Sequence, residues 1–312
     1  MPESVDTHHR KLSRENYDWR PQVCPICEVP PARLLGRRGG AAHRAGLGVE
    51  CEIWCCGRCG LVFPNPMPVP LGGLEQHYDV DTDEYFQHHD RDLKYTSAHT
   101  FLAEAAELCG RKGRLLDIGV GRGELLRAAV EDGWEAVGIE PSAKFAEHAR
   151  EYSGAKVIST SIEKCSLERE SFDVVVLGAV LEHLYQPDET IREIARILRR
   201  GGALFVDVPN EAGLYFRLGN LYEHLRGRNW VVNLAPTFPP FHVFGFTPRA
   251  LRTLLRKHGL VPARWRVYPG RSMVPSGNGL MGSLEQVAAR GVTAISKLGS
   301  LGTYIEAWAI RS

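Results

Sequence analysis

Three groups of residues in this 312-residue chain have types and spacings that could do chemistry. The first is Asp117-Ile118-Gly119-Val120-Gly121-Arg122-Gly123, in which an acidic residue closes an apolar run and glycines follow at alternate positions. Such glycines let backbone approach a ligand closely and take positive φ. Nucleotide-like cofactors bind at turns of this kind, at the carboxyl end of a strand. The second group is Glu182-His183, just past another apolar run, with His242 further along. Neutral imidazole takes a proton near pH 7, so both histidines are candidate general bases; either could instead order a loop by hydrogen bonding to backbone. The third group is Cys24-Pro-Ile-Cys27 and Cys56-Gly-Arg-Cys59-Gly60, two C-x2-C pairs with 28 residues between them. Two such knuckles present four thiolates tetrahedrally at about 2.3 Å from zinc, and with all four positions filled the site is closed and structural.

The glycine spacing selects the cofactor class. A dinucleotide fingerprint needs G-x-G-x-x-G, and here its third glycine falls on Glu124. The run Leu115 to Gly123 instead resembles the first motif of the class I S-adenosylmethionine (SAM) methyltransferases. In that family the acidic residue and glycine backbone hold the methionine end of SAM, which here implies Asp117, Gly119, Gly121 and Gly123. Glu140 closes a second apolar run 23 positions after Asp117. A carboxylate at about that distance can accept hydrogen bonds from both ribose hydroxyls. The resemblance also places Ser161 and Ile162 against adenine. Downstream, Phe172-Asp173-Val174-Val175, Leu181-Glu182-His183-Leu184 and Leu198-Arg199-Arg200-Gly201-Gly202 are similar, in that order, to the branch that contains small-molecule O- and C-methyltransferases. The resemblance covers roughly residues 95 to 310. Related small-RNA and ubiquinone-pathway enzymes carry E-x-x-E-H here and use a catalytic metal. In this chain Ala179 stands at the first Glu, leaving two ligands, so no catalytic metal is expected.

The elements that must position these groups follow from periodicity. Leu115 to Ile118, Glu135 to Glu140, Lys156 to Ser159, Phe172 to Gly178 and Ala203 to Val208 read as strands. The β-branched run 172–177 is apolar on both faces, as in a central parallel strand. Helices alternate with them: Glu124 to Asp132, one opening at Pro141-Ser142, and Pro187 to Arg200, stopped by Gly201-Gly202. Thr247-Pro248 is a sound N-cap and N1 pair for a helix to His258. A helical, aromatic insert spans Leu214 to Leu225, and Gly302 to Arg311 reads as a final strand. The expected fold is therefore α/β, a Rossmann-like, mostly parallel sheet; the family has seven strands.

Residues 1–22 read as a tail, 23–70 as a zinc ribbon with a proline-rich linker, and 71–312 as the methyltransferase domain. Within the ribbon, Cys55 competes with Cys56 as a ligand. Cys56 keeps both the spacing and the knuckle glycine, and Cys51 is a spectator. Four prolines from Pro64 to Pro70 imply an extended exit. This "C-G-L-V-F-P-N-P" exit resembles bacterial methyltransferases with an N-terminal zinc ribbon, many in sugar, polysaccharide or natural-product pathways. Tyr78, Tyr85 and Phe86 follow, placed either to lid the SAM pocket or to pack a linker. Residues 272–300 interrupt the sheet with a loop and a mildly amphipathic helix.

Composition is that of a globular protein, 44% hydrophobic and 24% charged. The N-terminus lacks an apolar h-region and no apolar run approaches about 18 residues, so a cytoplasmic protein without a membrane span is expected. Net charge of +1 argues against strong nonspecific nucleic-acid binding. From His242 onward, however, ten Lys or Arg face only Glu285 and Glu306. Arg264, Arg266 and Arg271 could meet an anionic acceptor or lie on a solvated surface. The expected function is SAM-dependent methyl transfer to a small molecule, an O or C acceptor on a glycan, sugar or secondary metabolite. The alternatives are an RNA or tRNA methyltransferase and a non-catalytic SAM-binding partner protein. Oligomeric state is not legible.

Overall fold

A computed structural model describes residues 12–44, 46–72, 91–235, 241–269, 291 and 301–312. Tyr78, Tyr85, Phe86, Arg271 and, apart from residue 291, the segment 272–300 lie outside them. The N-terminal part holds two small sheets. Strands β1 (Tyr17–Arg20) and β5 (Met67–Pro70) pair antiparallel, so residues read as tail and as proline-rich exit meet in one ribbon. Strands β2 (Arg33–Arg38), β3 (Cys51–Cys55) and β4 (Val62–Pro64) form the second sheet.

Next come α1 (Arg91–Cys109), β6 (Arg114–Ile118), α2 (Glu124–Glu131), β7 (Glu135–Glu140), α3 (Ala143–Ser153), β8 (Lys156–Ser159) and β9 (Phe172–Gly178). The chain continues through α4 (Pro187–Ile197), β10 (Leu198–Pro209), α5 (Leu214–Leu225), α6 (Pro248–Lys257), β11 (Leu260–Tyr268) and β12 (Tyr304–Arg311). Seven strands form one sheet in the order β11-β12-β10-β9-β6-β7-β8. Strands β10, β9, β6, β7 and β8 run parallel, while β12 is antiparallel to both of its neighbours. The chain order reverses between β6 and β9, and ligands of open α/β sheets bind outside the carboxyl ends at such a switch point.

The central strand explains why the sheet sits where it does. Val174 and Val176 of β9 join one apolar cluster with Leu102, Leu126 and Trp308, and Val175 and Leu177 join a second with Ile191, Leu254 and Phe244. Alternation along the pleat thus buries both faces. One boundary differs from the periodicity: α4 stops at Ile197 rather than running to Arg200. Leu198 already pairs with Phe172, and the Arg199 guanidinium reaches back to Asp173 (2.5 Å), so residues 198–202 enter β10 through an irregularity before Ala203.

Candidate active site

The glycine turn is built as a cradle. Gly119, Gly121 and Gly123 have φ of +77°, +55° and +89°, all in the left-handed region where a β-carbon is strained. A Cβ on Gly119 would sit 2.6 Å from Val180 Cγ2, and one on Gly123 would press on Ala149 of α3. The turn is tied to the neighbouring strand by the Gly119 amide, which donates to Ile139 O (2.8 Å). Asp117 is buried at the end of β6 and lines a cleft of about 250 Å³ with Gly119, Glu124, Gly178, Phe205 and Phe101 of α1.

Glu140 closes β7 beside this turn. Its Oε1 accepts the Ser142 amide (3.0 Å), and Ser142 Oγ in turn caps α3 by accepting from Phe145 N. Burial pushes the Glu140 carboxyl up to about 7, against backbone hydrogen bonds from Ser142 and Gly121 that pull it down. A buried carboxyl costly to ionise is one that ribose hydroxyl donors would satisfy. Ser161 and buried Ile162 lie next to it, since the Thr160 amide donates to Glu140 O (3.1 Å). The residues present therefore fit SAM: a glycine cradle, a buried ribose acceptor and an apolar shelf.

Beyond Val180 the chain makes one 3-10 turn, Leu181–His183, that carries the second group. Ala179, at its entrance, has φ of +56°, a strained conformation for a residue with a side chain. His183 Nδ1 lies 2.8 Å from Phe241 O, and because a carbonyl only accepts, Nδ1 carries the proton and Nε2 the lone pair in the neutral ring. Burial pushes His183 down to about 4, so it is neutral at pH 7. His242 meets it edge to face, with centroids 4.8 Å apart, and is also shifted down by burial and by His183. The backbone role considered for His183 is thus present, and it leaves Nε2 as the basic nitrogen.

Glu182 completes this cluster. Ligand atoms of Glu182, His183 and His242 all lie within 4.8 Å of one another. Glu182 is buried, its Oε2 has no hydrogen-bond partner among the described residues, and burial pushes it up to about 8. Counting Glu182 and His183 alone gave two possible metal ligands. The fold supplies a third from a distant loop, so the argument from too few ligands does not apply.

The four cysteines also meet. Cys24, Cys27, Cys56 and Cys59 place their sulfurs within 4.8 Å of one another, and Cys24 and Cys59 Sγ are 3.7 Å apart. A tetrahedron with about 2.3 Å metal–sulfur bonds has edges of about 3.8 Å, so the set fits zinc. Cys51 and Cys55 stand outside the cluster, their thiols turned to the carbonyls of Val49 and Cys56.

Sequence reasoning missed three contributors. Asp207 follows Phe205 on the same face of β10, its two oxygens accept Tyr268 Oη (3.2 and 3.3 Å), and burial first, then Glu306, pushes it up to about 7. Glu211 is buried with its carboxylate accepting Asn233 Nδ2 (2.7 Å) and the Leu234 amide. Arg38, from ribbon strand β2, is buried against Asn233 O (3.0 Å) near Glu211. Only the last had a sequence signal, a basic residue ending a strand, and that signal does not reveal a long-range partner. Two of the C-terminal arginines are paired: Arg264 with Glu104 and Glu107, Arg266 with Glu306.

Comparison with known proteins agrees with this geometry. A family described as a methyltransferase domain matches residues 86–263, more than half of the chain. The chain belongs to this family and has the fold of class I SAM-dependent methyltransferases. It is similar to the mitochondrial ubiquinone biosynthesis O-methyltransferase of Mus musculus, 30% identical over 157 residues, covering 47% of this chain and 41% of that protein. The ubiquinone biosynthesis O-methyltransferase of Bordetella avium is 29% identical over 168 residues, covering 52% and 67%. The chain thus spans less than half the length of the mouse relative it matches. A SAM-dependent methyltransferase from Archaeoglobus fulgidus shares the fold, with a TM-score of 0.50, 19% identity and coverage of 73% and 97%. Among the described residues no helix is long and apolar enough to cross a membrane.

Proposed function

We propose that the protein transfers the methyl group of SAM to a small-molecule oxygen or carbon acceptor, on a glycan, sugar or secondary metabolite, bound beside His183 and His242. One observation carries the reading: Val180 bridges the two groups, its side chain packed over Gly119 of the cofactor turn and its carbonyl accepting the His183 amide (2.9 Å). Cofactor and base candidate therefore share one wall. SAM, when bound, supplies an electrophilic methyl on a sulfonium. The chain's part is to align the acceptor in line with it, from which most of the rate would come. Asp117 and the glycines bind the methionine end, Glu140 the ribose, and Ser161 and Ile162 flank adenine. Neutral His183 takes the acceptor's hydroxyl proton at Nε2, while Phe241 O holds its Nδ1–H. Zinc on Cys24, Cys27, Cys56 and Cys59 is structural. The pairing of Arg264 and Arg266 with acids favours a small acceptor over RNA.

The test is transfer of a labelled methyl from SAM into a small-molecule extract, beside an RNA fraction. Label in RNA would sink the small-molecule reading, and SAM binding without any transfer would support a non-catalytic partner.

A second reading has its own observations, a Glu182 Oε2 without a hydrogen-bond partner among the described residues and a carboxylate oxygen of Glu182 within reach of His183 and His242. These residues fit a divalent cation, which would lower the pKa of an acceptor hydroxyl. In protein that keeps its one ribbon zinc, stimulation of transfer by added magnesium or manganese favours it; identical rates with and without them remove it.

A further inference from the structure

The ribbon and the acceptor site share a strand-like segment, Phe241 to Thr247, and each edge of it is bonded to a different partner. On the ribbon side, Val62 and Gly245 exchange both backbone hydrogen bonds (2.9 and 2.7 Å). The Phe63 and Phe244 rings pack 6.0 Å apart. Thr247 Oγ1 donates to the carbonyl of Cys59 (3.2 Å), a proposed metal ligand, and accepts the Ala250 amide (3.1 Å) to cap α6. On the catalytic side, the Val243 and Phe244 amides both donate to Glu182 O (2.8 and 3.1 Å). Phe241 O receives His183 Nδ1, and the His242 ring lies on His183. The same segment thus rests on the metal knuckle and fixes the acceptor loop.

The cofactor half has different supports. The glycine turn bonds to Ile139 of β7 and packs on Ala149 of α3, and Glu140 bonds to Ser142. Ala149 belongs to a different apolar cluster from Val62 and Phe63 of β4. A knuckle is a short turn, here Cys56 O accepting the Gly60 amide (2.9 Å), that closes around its ion. Binding free energy at such a site is folding free energy, so losing the ion frees the Cys59 carbonyl and β4 first.

Resting on the functional reading for which half is which, we propose that the metal on Cys24, Cys27, Cys56 and Cys59 positions the acceptor half of the active site. It does so by holding the segment Phe241 to Thr247 through Cys59–Thr247 and Val62–Gly245, and it leaves the cofactor half unaffected. The ribbon is then a positioning element, and its metal state decides whether His242 and Glu182 are presented to an acceptor.

The experiment uses the full chain, zinc-loaded and after chelation with metal counted, and reads amide hydrogen exchange together with calorimetry of the demethylated cofactor. Removing zinc should speed exchange at Val243, Phe244 and Gly245 by about tenfold or more, while cofactor Kd stays within about threefold. Unchanged protection of those amides, or a parallel loss of cofactor affinity, overturns the proposal. A second pair of variants keeps the fold intact. Thr247→Asp still caps α6 but has no proton for Cys59 O, whereas Thr247→Ser keeps both bonds. In zinc-loaded protein Thr247→Asp should raise exchange of the same amides by about fivefold, the loss of one hydrogen bond, and Thr247→Ser should match wild type. Equal exchange in the two variants counts against the coupling. Cofactor binding by zinc-loaded protein judges the functional reading by itself, so the two ideas fail separately.

Discussion

His183 and His242 lie edge to face, 4.8 Å between ring centroids and 71° between planes, although they come from different loops. Two imidazoles this close cannot both be charged without repulsion, and desolvation already disfavours the charge on each. The pair is therefore neutral at physiological pH, which leaves the His183 Nε2 lone pair for an acceptor proton, while the same desolvation weakens it as a base. His183→Ala should lose about 10²–10⁴-fold in methyl transfer, with cofactor affinity kept and the loss easing at high pH. His183→Asn can still donate to Phe241 O. If the Asn variant is as active as wild type, ordering the loop is the residue's role and the base lies elsewhere.

Glu140 gives the sharpest test of the cofactor assignment. Glu140→Ala removes the ribose acceptor and the bond to the Ser142 amide, and SAM affinity should fall by about 10-fold or more, from two hydrogen bonds of about 1 kcal/mol each. Calorimetry reads this directly. Wild-type affinity in Glu140→Ala would remove the ribose role, and a preference for NAD would remove the cofactor class.

The metal prediction separates neighbouring thiols. Cys56→Ser should release zinc, whereas Cys51→Ser and Cys55→Ser should retain one zinc per chain by elemental analysis. Cys51 is buried, its thiol pushed up to about 12 by that burial, which suits an inert spectator. Zinc kept in Cys56→Ser but lost from either of the others would move the site. The Cys59–Thr247 bond predicts that loss of the ion is felt at α6.

Much of the fold was legible because its signals are local. The run 172–177, Thr247-Pro248 and the alternate glycines each encode their own conformation: a strand buried on both faces, a capped helix and a positive-φ turn. The two C-x2-C pairs and the Asp117-to-Glu140 spacing are also local. What stayed hidden is what folding alone brings together. His242 joins Glu182 and His183 because Val243 and Phe244 bond to Glu182 O, and no periodicity encodes that contact. Arg38 reaches Asn233 across the ribbon boundary for the same reason. The end of α4 was misplaced because helix propensity at Arg199 and Arg200 lost to pairing of Leu198 with Phe172.

The buried carboxyls make the unliganded protein sensitive to rising pH. Burial raises Glu140, Glu211 and Asp207 to about 7 in the fold, from ordinary values of 4.5, 4.5 and 3.8. A raised carboxyl stabilises the fold fully below its unfolded pKa and loses that contribution as pH climbs through the folded value. His183 has the opposite sign: lowered from 6.5 to about 4, it favours the fold above 6.5 and penalises it as pH falls toward 4. Between pH 6.5 and 7.5 the unfolded histidine sheds its remaining protons, so its contribution still rises slightly, while the carboxyls act in the opposite direction. Each still protonated in the fold then costs up to about 1.4 kcal/mol per pH unit. Zinc affinity runs the other way, because thiolates form more readily as pH rises, so the clean readout is a difference between variants. Glu140→Gln, neutral at every pH, should show a smaller fall in thermal midpoint than wild type across this window. Saturating demethylated cofactor should shrink the wild-type fall as well, because ribose hydroxyls favour the carboxylate. Parallel midpoint curves for Glu140→Gln and wild type would mean that Glu140 is already ionised in the fold. The cofactor pocket would then be wetter than its buried carboxyl implies.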